Sequence, residues 1–316
     1  MTHSILCIGE LLIDFFCNDR DVNLQQGQTF TKQAGGAPAN VCAALAKLGG
    51  KAYFMGKVGA DPFGDFLENT LQSLNVQTDY LLKDSNYPTT LAFVSLQGDG
   101  QRDFIFNRGA DAQLDTEDIS FEVLKSIKIM HFGSATALLP GPLQKTYLEL
   151  LSLAKKNDCF ISFDPNFRTD LWKGHEQQFT QQASECIAFS DFVKVSDEEL
   201  ILLTNETDLH KAVEVLHKVG ANCIAVTLGK DGTFFSFNGR STLIPSIHID
   251  AIDTTGAGDA FVGALLFRLS KVDDWQTISF EEWEQIIQFS NKVGAIVCEK
   301  VGAIESLPTL EEVLSR

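Results

Sequence analysis

Between Asp253 and Phe261 the chain reads Asp-Thr-Thr-Gly-Ala-Gly-Asp-Ala-Phe, two carboxylates and two glycines in nine positions ahead of an apolar run. The run itself, AFVGALLFRL, suits a buried helix, and this sets Gly256, Ala257 and Gly258 at the helix N-terminus. Backbone N–H groups there lack intrahelical partners, and the positive end of the helix adds to their pull on an anion. Glycine lets a phosphate come close to the backbone, and Asp259 then stands at the mouth of the anion pocket as an acceptor. A carboxylate beside a phosphate is repelled by it. The arrangement has a purpose if the carboxylate takes a proton from an alcohol that attacks the phosphoryl group. A plainer reading fits the same residues: Asp259 caps a helix and the glycines shape a turn.

A second cluster, AGGAPANVCAALAKLGG, sets Gly35 and Gly36 before an alanine-rich helix that starts near Pro38. Proline in a first turn and small residues for close packing account for most of it. They do not account for Asn40, a polar residue early in a helix otherwise suited to burial. With Asp14, Asn40 could bind sugar hydroxyls; it could equally be solvated or bonded locally. Other phosphate motifs do not compete, because no G-x-x-x-x-G-K-[ST] occurs and no G-x-G-x-x-G follows the first strand. The histidines show no metal-ligand spacing.

Residues so far apart in the chain need a frame to bring them together. Short apolar runs at Ile5–Ile8, Ala52–Met55, Ile127–Phe132, Cys159–Phe163, Phe192–Val195 and Cys223–Thr227 read as strands. Between them Ala39–Leu48, Phe63–Leu74, Leu143–Lys156, Glu176–Phe189 and Leu209–Val219 carry helical spacing. The alternation predicts an α/β fold around a mostly parallel sheet. In such sheets ligands bind beyond the carboxyl ends of the strands. Polar residues gather there: Glu10 and Asp14, then FDPNFR with Asp164, Asn166 and Arg168, then KVSDEE and TLGKDG, with 242–250 leading into the Asp259 motif. One region departs from the rhythm. TTLAFVSLQGDGQRDFIFN reads as two strands joined at Gly98-Asp99-Gly100, with Phe104 and Phe106 on one face. The stretch from about 15 to 33 could pair with it, so that about 15–33 and 88–108 form a small β-sheet flap on a single 1–316 domain.

Composition narrows the function. The chain of 316 residues is 44% hydrophobic and 21% charged, the balance of a globular protein. A formal charge of −17 without a basic stripe argues against nucleic acid. Seven scattered cysteines suggest buried thiols in a reducing compartment. Neither a signal peptide nor a membrane-length apolar run is present, so a cytoplasmic protein with no membrane partner is expected.

Taken together, GGAPANVCAALAKLGG and DTTGAGDAFVGALL resemble the two signatures of the ribokinase-like (phosphofructokinase B) carbohydrate kinases. The resemblance runs from about Ile5 to Pro308, takes in GKVGADPFG, FDPNFR, KVSDEEL and TLGKDG, and leans within the family toward the fructokinases. It implies a Rossmann-like body with a β-sheet lid and an ATP-dependent transfer to a sugar hydroxyl, fructose to fructose 6-phosphate in the first instance. Asp259 matches the catalytic base, and Gly256, Ala257 and Gly258 match the anion hole. Asp14, Gly36 and Asn40 match sugar contacts, with Phe104, Phe106 and Arg168 lining the same pocket. Thr227, Gly229 and Gly232 match the nucleotide-phosphate loop, and Asn291 lies where the family contacts adenine. Asp253, Thr255, Gly302 and Ser306 fall where some members bind a monovalent cation, so that potassium activation is an expectation. Magnesium is implied through an Asn-x-x-Glu element that here reads Ser196-Asp197-Glu198-Glu199, where Glu199 keeps the carboxylate that could organise magnesium-bound water. Two rivals remain: a 2-keto-3-deoxygluconate kinase, whose substrate carboxylate would use Arg108 or Arg168, and a non-catalytic sugar-binding protein that kept the fold. Exposed strands of the lid would allow a homodimer.

Overall fold

A computed structural model describes residues 2–19, 21–96, 102–120 and 126–316. The strands are β1 Ser4–Ile8, β2 Leu12–Cys17, β3 Phe30–Gly35, β4 Lys51–Gly59, β5 Gln77–Asp84, β6 Leu91–Leu96 and β7 Arg102–Asn107. They continue with β8 Ile129–Phe132, β9 Phe160–Phe163, β10 Phe192–Ser196, β11 Cys223–Thr227, β12 Thr233–Phe237 and β13 Arg240–Ile244. Nine of these form one sheet in the order β13-β12-β11-β10-β9-β8-β1-β4-β5, parallel from β11 to β5 and antiparallel at β12 and β13. The other four form a separate small sheet, β3-β2-β6-β7.

Alternating side chains divide the core between the two faces of the large sheet. On β1, Ile5 and Cys7 face the helices Ala37–Lys47, Ala257–Leu269 and Phe280–Val297, while Leu6 and Ile8 face Pro142–Lys156 and Glu176–Phe189. The central strands β8 and β9 are buried throughout, as a parallel sheet covered on both faces requires.

The small sheet joins the two segments expected to pair, and its register sets the site-facing side. Asp14 pairs with Ala92 and Ala92 with Phe106, so the three lie in a row on one face. The sheet is mixed, because β2 runs parallel to β6. The turn expected at Gly98-Asp99-Gly100 lies outside the described residues. Three features differ from the sequence expectation. β5 is an edge strand whose alternating exposure never makes an apolar run. β12 and β13 form a hairpin at Asn238-Gly239, with φ of 50° and 74° as a type I′ turn demands. Residues 245–250 are not strand, so an irregular segment rather than a strand leads toward Asp259. Among the described residues no helix is long and apolar enough to cross a membrane.

Candidate active site

The helix Ala257–Leu269 carries Asp259 in its first turn, and the helix Ala37–Lys47 carries Asn40 in its own. Both have small residues on their facing sides, and Gly263 lets them nearly touch: a Cβ there would lie 2.6 Å from Ala44 Cβ and 2.8 Å from the Val41 carbonyl. This close approach brings Asn40 Nδ2 to donate to Asp259 Oδ2 at 2.9 Å. Oδ1 of Asn40 is buried and has no partner among the described residues. The Asp259 carboxylate is half-buried, and loss of water pushes its pKa up to about 6, against the lowering pull of the Asn40 bond and of Arg168. That is the poise a base acting near neutral pH needs.

Gly256 begins this helix in the left-handed region, φ 77°, where a Cβ would lie 2.6 Å from Ala303 Cβ. Ala257 N–H turns back to the Thr254 carbonyl at 3.2 Å and Ala260 N–H to that of Gly256 at 2.8 Å. The N–H groups of Gly256, Gly258 and Asp259 have no protein acceptor among the described residues. Of the three residues matched to an anion hole, Gly256 and Gly258 thus offer open donors, whereas Ala257 shares its own with Thr254.

On the other side of Asp259 stands the small sheet. Asp14 is half-buried, and burial together with the nearby Glu10 carboxylate pushes its pKa up to about 7 against the attraction of Arg168. Its carboxylate occupies the space over Gly35, where a Cβ would lie 1.9 Å from Oδ2. Gly36, with φ 110°, presses on the Glu10 carbonyl. Phe104 and Phe106 stack at 6.0 Å on the same face as Asp14. Arg168 is exposed, binds the Phe167 carbonyl at 3.2 Å, and acts electrostatically on both Asp14 and Asp259. Arg108, by contrast, is committed elsewhere: it reaches Asp111 at 3.4 Å and the Thr136 and Pro140 carbonyls at 2.9 and 3.3 Å.

Thr227 ends β11, with its hydroxyl on the Val195 carbonyl at 3.3 Å. Gly229 and Gly232 follow in a one-turn loop closed by Leu228 N–H to the Gly232 carbonyl at 2.8 Å. Asn291 is found at a different task from an open base contact. Its amide accepts from Thr233 at 2.6 Å and donates to the Ile244 and Pro245 carbonyls at 2.9 and 3.4 Å, so it ties the helix Phe280–Val297 to the β12–β13 hairpin.

Glu199 is buried, and both its oxygens accept backbone N–H groups, from Phe167 at 2.7 Å and Ser196 at 2.8 Å. Ser196 caps the helix Asp197–Thr204. Glu199 thereby fastens the 164–168 loop to the end of β10. Asp253 accepts from Thr255 N–H and hydroxyl at 3.0 and 2.6 Å and from Gly302 N–H at 2.9 Å, while the Ser306 hydroxyl donates to the Val301 carbonyl at 3.0 Å. Gln33 of β3 lies beside Gly302, so the small sheet reaches this cluster.

Two residues escaped the sequence reading as site residues. Glu10 is buried and accepts from Ala37 and Ala135 N–H at 3.0 and 3.2 Å and from the Ser134 hydroxyl, tying the loops after β1 and β8 to the Asn40 helix. Lys194 is a buried lysine inside the strand FVKVS, 3.0 Å from Asp164. A charged residue within an otherwise apolar strand was the available signal.

Known proteins resemble this chain in sequence and in fold. Residues 2–310 match the sequence profile of the pfkB family carbohydrate kinases. Fructokinase-1 of Zea mays is 39% identical over 313 residues, which cover 98% of this chain and 96% of that protein. The ATP-bound fructokinase of Xylella fastidiosa superposes with a TM-score of 0.91 at 32% identity, covering 100% of this chain and 98% of that one. The fructokinase of Vibrio cholerae O395, bound to fructose, ADP and calcium, gives 0.86 at 29% identity over 99% of this chain and 98% of that one.

Proposed function

The chain belongs to the pfkB family of carbohydrate kinases, and on that premise we propose that it transfers the γ-phosphoryl group of ATP to fructose, forming fructose 6-phosphate. The observation that carries the reading is Asp259, a carboxylate poised at about 6 beside the open N–H groups of Gly256 and Gly258. Asp259 takes the proton of the sugar hydroxyl as that oxygen attacks phosphorus, while Gly256 and Gly258 donate to the oxygens of the group in transit. Ala257 contributes by holding the turn. Asp14 and Asn40 hold the sugar, and the orphaned Oδ1 of Asn40 favours a hydroxyl donor beside it. Phe104 and Phe106 line the sugar pocket from the small sheet, which acts as a lid and keeps out water that would otherwise accept the phosphoryl group. Thr227, Gly229 and Gly232 shape the nucleotide-phosphate loop, and Asn291 positions its neighbour hairpin.

The donor set suits magnesium carried on the nucleotide rather than caged by protein. Among the described residues no three acidic, histidine or cysteine side chains could hold a metal together, and the Glu199 oxygens already accept backbone N–H groups. Glu199 would reach such an ion through water, as magnesium keeps several of its waters. When bound, magnesium neutralises phosphate charge. Asp253, Thr255, Gly302 and Ser306 would hold potassium, behind the anion hole. The exposed Ile105 on the lid's outer face suits pairing of two chains through the lid.

A second reading, 2-keto-3-deoxygluconate kinase, is favoured by Arg168, an exposed guanidinium whose charge acts on Asp14 and Asp259 and that could bind a substrate carboxylate. Commitment of Arg108 to Asp111 leaves that reading a single arginine. An ADP-release assay across fructose, glucose, ribose, ketodeoxygluconate and adenosine decides. Fructose is expected to give the highest kcat/KM, and preference for another acceptor overturns the substrate. Sugar binding without any turnover would mark a non-catalytic sugar binder.

A further inference from the structure

We propose that Asp111 is a positioning residue, one that fixes the angle of the small sheet over the sugar and so keeps water from taking the phosphoryl group. The inference rests on the kinase reading above and adds to it a buried carboxylate that the transfer itself does not use.

The chain enters the β6–β7 half of the small sheet at Thr90 and leaves it at Arg108-Gly109, and these two legs run side by side. Gly109 lets them touch: a Cβ there would lie 2.0 Å from the Pro88 carbonyl, to which Ala110 N–H donates at 2.8 Å. Thr90, 1% exposed, is the node between them. Its hydroxyl accepts from Gly109 N–H at 2.8 Å and donates to Asp111 Oδ1, while its carbonyl accepts from Ile13 N–H at 3.0 Å. Asp111 Oδ2 accepts the Thr136 hydroxyl at 2.9 Å and Arg108 Nε at 3.4 Å, and Arg108 also donates to the Thr136 carbonyl at 2.9 Å. One carboxylate, itself 1% exposed, thus gathers both legs of the sheet and the loop after β8.

A carboxylate taken out of water destabilises a fold unless donors replace its lost solvation, and donors on three segments hold those segments at fixed distances from one another. From Asp111 the paths to the sugar pocket are short. Ile13, held by Thr90, is the neighbour of Asp14, and Phe106, in one row with Asp14 and Ala92, lies two residues before Arg108. Thr136 N–H donates to the Ser134 hydroxyl at 3.2 Å; that hydroxyl donates to Glu10, which also accepts the Ala37 N–H at the start of the Asn40 helix. Asp111 therefore sets the sheet that carries Asp14 and Phe106 against the helix that carries Asn40. No proton passes through it; it acts by holding the acceptor in place and shutting out water.

The test compares Asp111→Asn, Thr90→Val and Thr90→Ser with the parent chain, reading KM and kcat for fructose and the ADP formed per fructose 6-phosphate. Asp111→Asn turns one accepting oxygen into an amide, and Thr90→Val removes the hydroxyl that joins the two legs. Each is expected to raise KM for fructose about 10-fold, while KM for ATP stays within a few-fold. Each should also form ADP in excess of fructose 6-phosphate, whereas the parent forms the two in equal amounts. Thr90→Ser keeps the hydroxyl and should return both readouts toward the parental values. A carboxylate that only supports the fold would lower Tm and the yield of active protein, yet leave KM and the product ratio of the folded fraction as in the parent; that result overturns the proposal. Excess ADP as large in Thr90→Ser as in Thr90→Val overturns it as well. If Asp111→Asn does not fold, Thr90→Val reads the same contact from its other side with the same two outcomes. Failure of the parent chain to phosphorylate any sugar would instead sink the kinase reading itself.

Discussion

Asn40 donates to Asp259 at 2.9 Å across a separation of 219 residues, so each of the two signature segments completes the other's chemistry. A hydrogen bond to the ionised form lowers a carboxylate pKa, and this one counters the burial that raises Asp259 to about 6. For the parent chain kcat/KM is therefore expected to climb with pH through about 6 and then level as the base ionises fully. Asn40→Leu should move that acid limb upward by about one pH unit. A pH profile of kcat/KM for both proteins checks it, and an unmoved limb contradicts the pairing.

Asp259 also couples stability to pH. Its pKa is about 6 in the fold against an ordinary 3.8, so the folded state binds the proton more tightly. The stability this confers is complete below the ordinary value and is lost as pH rises through about 6. Asp259→Asn cannot ionise and keeps an acceptor for Asn40. It should be more stable than the parent by about 1–3 kcal/mol at pH 8, with the gap closing below pH 4. Urea unfolding at the two pH values measures this.

Gly256 is the position of the anion turn least able to change. Alanine there must take φ 77° with its Cβ 2.6 Å from that of Ala303. Gly256→Ala is expected to lose about 1–3 kcal/mol in denaturant unfolding and to lower kcat through the displaced N–H groups.

Glu199→Gln replaces one of two accepting oxygens with a donor, so either Phe167 or Ser196 loses the partner for its N–H. The expected cost is about 1–3 kcal/mol. It should appear in thermal unfolding without nucleotide or magnesium. An unchanged Tm there would confine Glu199 to the metal.

Much of the fold was legible because central parallel strands announce themselves as apolar runs, as β8 and β9 do. Edge strand β5 did not, since half its residues face water. Asn238-Gly239 carried a hairpin signal of its own, and the stretch before it, FFSF, is buried throughout β12. Asp259 and Asn40 stood out by residue type, but no local pattern carries the 2.9 Å between them; that comes from Gly263 letting two helices meet. Asn291 was picked out by position, whereas the commitment of its amide to Thr233 and Ile244 depends on tertiary packing alone. Lys194 stood out as a charge within an apolar strand, but its approach to Gly258 depends on tertiary packing.

The most direct measurement is the turnover of Asp259→Asn with saturating ATP and fructose, set beside its affinity for ATP. A general base contributes about 10²- to 10⁴-fold, so kcat should fall by that much while ATP binding stays near the parental value. Turnover close to that of the parent chain would contradict the role of Asp259 and with it the account of the site.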